Sequence, residues 1–397
     1  MRRLRSERSL KRIGLFTSAT NSWAGGRKYM RMMAYSLAHA CQGEGVELHL
    51  LDYSEPFPNS VGVPHPEVIT PSPSDPATTI QRLGRVVGWS EKSSLLGVAR
   101  THELSVVLPI CEEPFNASDV KSVAWIPDFQ HRYLPDLFSD ALRTYRDETF
   151  RLLTERCERV ILSSRTALDD FVNFSPANAV KARIASFCSL FPFEPPSGDV
   201  FATQRRFQLP RKFALVANQF WIHKNHRIVV DALAKLAQTD IEIPVVMAGV
   251  PADTRDPNNE NLSAIFQAIA SAGLGSKVIL LGRVADTDWV NLLRTAAVVI
   301  QPSRFEGWST ILQDAKALGR PVICSDIPVH REQAPHALGF FDCDDSDALA
   351  AILAAHWGPL VPGPDKAVEE RALAAELMCG RAFGDALLRV CQEAYSS

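Results

Sequence analysis

Short runs of Val, Ile and Leu alternate along this chain with longer segments of helical periodicity, and the alternation occurs twice. Residues 12–17 (RIGLFT) read as a strand, 21–27 (NSWAGGR) as a loop, 28–41 as a helix and 46–51 as a second strand. Strand, loop, helix, strand is the unit of a parallel sheet. Further strands are predicted over 104–110, 120–126 and 160–163. A helix is predicted over 141–157, where Leu142, Tyr145, Thr149, Leu152 and Leu153 recur at helical spacing. Proline and serine crowd residues 56–76, which predicts a long loop. A proline-rich break follows at 191–196 (FPFEPP), and polar residues run on to 206.

Beyond the break the pattern restarts. Strands are predicted over 213–217, 244–248, 278–281, 298–301 and 322–324, with helices over 225–236, 262–272, 289–294, 310–318 and 347–356. The reading is therefore α/β, with two doubly wound parallel domains facing a central cleft, where ligands usually sit. The expected division is 1–200, 201–375, and a helical tail, 376–397, packed back on the first domain. The chain's 397 residues suffice for two cores.

Composition narrows the function classes. Apolar residues make up 46% and charged residues 22%, ordinary for a globular protein and unlike a disordered one. Net charge is 42 − 45 = −3, too balanced for a chain built to coat nucleic acid. No apolar run reaches the ~18 residues that span a bilayer. The basic stretch at the N-terminus lacks the apolar core of an export signal, which predicts a cytoplasmic protein. Its arginines and lysines could meet anionic lipid at the inner membrane face. Eight scattered cysteines with no C-x-x-C pair read as buried free thiols.

The most informative stretch is 301–331 (QPSRFEGWSTILQDAKALGRPVICSDIPVHR). A strand ends at Gln301, a loop carries Glu306 and Gly307, and a helix begins near Ser309. The unpaired amides and positive dipole end of such a helix suit a phosphate. Gly307 admits close approach of a ligand. Glu306 and Asp314, eight positions apart, can both grip hydroxyl groups. A second stretch, 217–226 (ANQFWIHKNH), places Lys224 at a helix start, where its ammonium can reach phosphate oxygens. Two patterns suggest metal but read otherwise. Asp342-Cys343-Asp344 precedes a helix as a capping turn would, and His223 and His226 have no further ligands nearby in sequence.

These motifs resemble those of the retaining glycosyltransferases of family 4, which have the GT-B fold. Pro302-Ser303-Arg304-Phe305-Glu306-Gly307 matches the family's Pro-Ser-x-x-Glu-Gly, and Asp314 stands in its second acidic place. Ala317-Leu318-Gly319-Arg320-Pro321-Val322-Ile323 is similar to a following family segment. Trp23-Ala24-Gly25-Gly26 resembles its N-terminal glycine loop, and residues 125–131 (WIPDFQH) resemble one branch of it.

The resemblance implies a role for each matching residue. Glu306 would bind the hydroxyls of a donor sugar, Asp314 the ribose and Lys224 the diphosphate. Amides from Gly307 through Trp308 and Ser309 to Thr310 would cradle phosphate and sugar. Gly25 and Gly26 would approach the donor phosphate, and Arg283 would line the base pocket. His131 would lie near sugar and acceptor, as an acid/base or positioning group, with Asp128 on the acceptor side. Two departures stand out. Asp314 is one methylene shorter than the family's Glu, and Gln219 stands where many members place an arginine. Arg27, Arg283 and Arg304 are the candidates to restore that charge.

The implied reaction transfers a mannosyl, rhamnosyl or glucosyl group from a nucleotide-diphosphate sugar to a hydroxyl of a sugar or lipid-linked glycan, with retention. Polysaccharide biosynthesis is the implied setting, with no cofactor and no obligate metal. The alternatives are a non-catalytic nucleotide-sugar-binding protein and a sugar-nucleotide epimerase on the same fold.

Overall fold

The computed structural model describes residues 9–17, 24–51, 67–69, 92–115, 117–251, 253 and 255–397. The described residues fall into two compact units. The first comprises residues 1–129, 140–188 and 378–397; the second comprises 130–139 and 189–377.

In the first unit the order is β1 (Arg12–Phe16), α1 (Ala24–Glu44), β2 (Glu47–Leu51), β3 (Glu67–Ile69), α2 (Lys92–Thr101), β4 (Val106–Ile110) and β5 (Lys121–Trp125). After the excursion of 130–139 come α3 (Asp140–Arg156), β6 (Arg159–Leu162), α4 (Arg165–Phe174) and β7 (Ala182–Ile184). The sheet runs β3-β2-β1-β4-β5-β6-β7 and every pairing is parallel. β4 is buried throughout and β5 at all but its first residue, as parallel strands between helical layers must be. Tyr29 stacks on Trp125 at 4.0 Å between ring centroids and meets Phe187 edge-on at 5.1 Å, filling the space beside α1.

The second unit contains β8 (Ala214–Ala217), α5 (His226–Leu236), β9 (Val245–Ala248), α6 (Glu260–Ser271), β10 (Val278–Gly282), α7 (Asp286–Thr295) and β11 (Val298–Gln301). It continues with α8 (Thr310–Ala317), β12 (Val322–Ser325), α9 (Pro328–Gln333), β13 (Gly339–Phe341) and α10 (Ser346–Trp357). Its sheet runs β10-β9-β8-β11-β12-β13, again all parallel. The order reverses between β8 and β11. Such a switch point leaves a crevice at the carboxyl ends of the two central strands, where α/β proteins bind ligands. The chain ends in α11 (Lys366–Tyr395), whose residues through Leu377 belong to the second unit and the rest to the first.

Two glycines fix the backbone of this unit. A Cβ on Gly249, just past β9, would lie 1.9 Å from the Asn218 carbonyl oxygen, so only glycine lets the loops after β8 and β9 touch. Gly319 (φ +62°) ends α8, with its amide bonded to the Lys316 oxygen and that of Arg320 to the Ala315 oxygen, a left-handed C-terminal cap.

The predicted alternation holds, with differences at the margins. Strands β3, β7 and β13 are three residues each, too short to carry periodicity, and were not anticipated; nor were α2, α4 and α9. Helix α1 begins at Ala24, so Gly25 and Gly26 form its first turn and are not loop residues. Trp23 and most of 56–76 lie outside the described residues. All eight cysteines are free. Five are buried, Cys111 and Cys343 are half-buried, and Cys379 is exposed, contrary to the expectation of burial. Among the described residues no helix is long and apolar enough to cross a membrane. Most of the basic N-terminal stretch lies outside them; Arg12, within them, is engaged by Glu47 and Glu103.

Candidate functional site

Both stretches singled out in the sequence meet at the switch point of the second sheet. After β8 the chain makes a tight turn over Ile222–Lys224, and Asn225 takes a left-handed conformation (φ 56°) before α5 begins. Asparagine tolerates that region better than other non-glycine residues. After β11 the loop 302–309 carries Glu306 back over the same strand ends. Lys224 Nζ lies 2.6 Å from Glu306 Oε1, and the two side chains keep only 11% and 10% exposure. An ion pair this buried recovers little more than its desolvation cost, so stability alone is a weak reason for its presence.

A chain of buried amides holds the carboxylate from behind. Gln301 Nε2 donates to Glu306 Oε1 (2.9 Å), with Ser309 Oγ (3.0 Å) and Ser303 Oγ (3.2 Å) also within reach. Gln301 Oε1 accepts from Asn218 Nδ2 (2.7 Å), which orients the amide. Ser309 caps α8, its hydroxyl accepting from the Leu312 amide. Gln333 clamps Ser309 as a strand would, accepting from its amide (3.0 Å) and donating to its carbonyl (2.7 Å).

This arrangement corrects two expectations. The Ser309 amide is taken by Gln333, so it is not free to cradle phosphate. Among the described residues, the amides without a partner at this helix start are those of Thr310 and Ile311. Asp314, expected to stand open beside Glu306, is 1% exposed, and its Oδ1 accepts from Ser189 Oγ (2.7 Å). The Ser189 amide is held by Glu376 (2.6 Å), which also accepts from Gln313. Burial raises the Glu376 carboxyl above the usual carboxylate range. Asp314 thus faces into the protein, where it ties the segment after residue 188 to α8.

The histidines near Lys224 are neutral near pH 7. Burial, then the nearby charges of Lys224 and Arg255, holds His223 well below the ordinary histidine range. Burial pushes His226 down to about 3. His330 falls to about 4, burial outweighing the opposing pull of Glu306. His330 Nδ1 is 3.0 Å from the Ser325 carbonyl, which only accepts, so the proton sits there. Its Nε2 is buried with no partner among the described residues.

One cation was missed. Arg255, in the loop after β9, is held by Asp253 at 3.0 Å and contacts His223 Nδ1 (3.3 Å) and Gln130 Oε1 (3.2 Å). Its guanidinium lies over the rings of Trp221 and Phe138. Through it the segment 130–139 joins the second unit, bringing along His131, which is 2% exposed with its ring 6.2 Å from that of Phe138. A lone arginine in an aperiodic loop gives no sequence signal.

The other candidates are placed as follows. Arg304, considered as a substitute cation, is paired with Asp344. Arg283 is exposed beyond β10, and Gln219, Gly307 and Trp308 are half-buried beside the loops described above. In the first unit Asp128 pairs with Arg146 at 2.7 Å. Asp342 accepts from the Asp344 amide in a turn, and Asp345 caps α10, so the acid-x-acid pattern is a helix start.

This site lies within a stretch that matches a known family. Residues 201–355 match the family model described as glycosyl transferases group 1. Among curated relatives, mannosylfructose-phosphate synthase of Agrobacterium fabrum is 25% identical over 120 residues, 30% of this chain and 26% of that one. O-antigen chain mannosyltransferase B of Escherichia coli is 23% identical over 208 residues, 52% of this chain and 47% of that one. The chain's matches thus span a quarter to a half of these relatives' length. Among solved structures, Anabaena Alr3699/HepE in complex with UDP and glucose superposes with a TM-score of 0.62 at 15% identity, covering 95% of this chain and 96% of that one. The fold class is GT-B, with two Rossmann-like domains.

Proposed function

We propose that this protein is a retaining glycosyltransferase that moves a hexosyl group from a nucleotide-diphosphate sugar to an acceptor hydroxyl in glycan synthesis. The observation that carries the reading is the Lys224–Glu306 pair at the switch point, beside the unpartnered Thr310 and Ile311 amides. One cation, two amides and a helix dipole meet a diphosphate; a carboxylate meets sugar hydroxyls.

In the proposed reaction the anomeric carbon exchanges its bond to the diphosphate oxygen for one to the acceptor oxygen, and the acceptor's proton is released. Negative charge grows on the leaving diphosphate. Lys224 and the start of α8 stabilise it most where water is excluded. Glu306, parted from Lys224 by the incoming diphosphate, is then free to orient the sugar. His131 and Asp128 are proposed on the acceptor side, Arg283 at the base, and Gly25 and Gly26 near the donor phosphate. The names of the two mannose-related relatives support a mannosyl donor among the hexoses, and HepE's complex supports a uridine nucleotide equally.

The test is a transfer assay with UDP-glucose and GDP-mannose against a panel of sugar and lipid-linked acceptors. Acceptor-dependent release of UDP or GDP supports the reading. Binding without turnover across the panel supports a non-catalytic binding protein, and conversion of the donor without acceptor supports an epimerase.

A further inference from the structure

Gln301 is a buried amide with no exposed surface at the end of a strand that is otherwise entirely apolar (Val298–Gln301). Burying an amide there is costly unless all its hydrogen-bonding groups are used. They are used, and asymmetrically. Asn218 occupies the oxygen, while the nitrogen faces Glu306 Oε1, the same oxygen that Lys224 holds. Reversing the amide would set its oxygen against a carboxylate and the Asn218 donor against an NH2, so a single orientation is enforced.

Glu306 Oε1 therefore has two supports of different kinds. Lys224 is a mobile ammonium on a flexible stem, which a diphosphate can draw away. Gln301 is neutral, fixed by Asn218 and shared with the Ser309 cap of α8, and a diphosphate has little hold on it. We infer that Gln301 is a positioning residue: it keeps the Glu306 carboxylate in place for the donor sugar when the donor's diphosphate takes Lys224. The inference rests on the function proposed above and goes beyond it, since it assigns the sugar's share of donor recognition to an amide pair that need not touch the sugar.

A double-mutant cycle on binding tests this. Calorimetry would compare UDP with UDP-glucose, and GDP with GDP-mannose, on wild type, Gln301→Leu, Glu306→Ala and the double variant. The ratio of sugar-nucleotide to nucleotide affinity isolates what the sugar adds. Gln301→Leu should lower that ratio about 10-fold, as losing a hydrogen bond to a charged group does, and leave UDP or GDP affinity within about twofold. In the Glu306→Ala background the same change should have no further effect. Because Gln301→Leu orphans Asn218, the paired variant Gln301→Leu/Asn218→Leu, which removes both partners, serves as the folded control. It should reproduce the loss while remaining cooperatively folded at the temperature of the titration, as thermal melting would show. An equal loss with and without Glu306, or a parallel fall in nucleotide and sugar-nucleotide affinity, would overturn the inference in favour of a structural role. Failure of wild type to bind any of the four probes would overturn the proposed function, and this inference with it.

Discussion

Glu306 and Asp314 stand eight residues apart, at either side of one helix start, and the sequence casts them as a matched pair of acceptors. The structure separates them. Glu306 keeps an edge to solvent and is held by a lysine and an amide at the ends of β8 and β11. Asp314 is sealed at 1% exposure and receives the hydroxyl of Ser189, 125 residues earlier in the chain. Similar chemistry yields a reactive position in one place and a fastener in the other. The deciding variable is which partner the fold brings up, and that partner comes from a distant segment in both cases.

The contrast is broken most severely at Lys224. Lys224→Ala should cut transfer about 10²- to 10³-fold, the cost of removing one donor aimed at developing charge, and should lower the melting temperature because Glu306 is left without its cation, with the protein still folded at the assay temperature. Steady-state kinetics alongside thermal melting checks this, and a near-normal rate would remove the lysine from the reaction.

Asp314→Ala should do the reverse. It strands the buried Ser189 hydroxyl and should cost about 1–3 kcal/mol of stability, measured by urea unfolding, with modest effect on turnover. If nucleotide affinity collapsed while stability stayed unchanged, Asp314 would be a ligand group after all and the contrast would fail.

A third outcome concerns pH. His330 titrates at about 4 when folded against 6.5 for an ordinary histidine, so between those values the unfolded chain binds the extra proton. Its contribution is complete above pH 6.5 and is lost as pH falls toward 4, with a slope approaching about 1.4 kcal/mol per pH unit. Unfolding free energies of His330→Gln at pH 7 and 5 should differ by less than those of wild type. An unchanged difference would mean that the ring is not held neutral.

The smallest effect is expected at Arg304→Ala, whose pair with the mostly exposed Asp344 should be worth under ~1 kcal/mol and leave transfer largely intact. A large loss of activity there would revive Arg304 as a diphosphate ligand.

Much of the fold was legible because buried parallel strands such as Val298–Gln301 and Val245–Ala248 are nearly unbroken apolar runs between helical segments. The three-residue strands were not, since pairing with a neighbour defines them and no repeat does. Lys224 and Glu306 could be singled out by residue type and place after a strand, but their contact could not, because it spans 82 residues. Gln301 and Gln333 were overlooked for a related reason: a glutamine becomes informative only once its partners are known. Gly25 and Gly26 misled, since glycine suggested a loop where a long helix absorbs both.

The central claim is that Lys224 is paired with Glu306 at rest and that a diphosphate competes for it. Calorimetric titration of UDP and GDP into wild type, Glu306→Gln and Lys224→Ala addresses it directly. Neutralising Glu306 should tighten nucleotide binding several-fold, and removing Lys224 should weaken it by at least tenfold. Equal affinities in all three proteins would contradict the account.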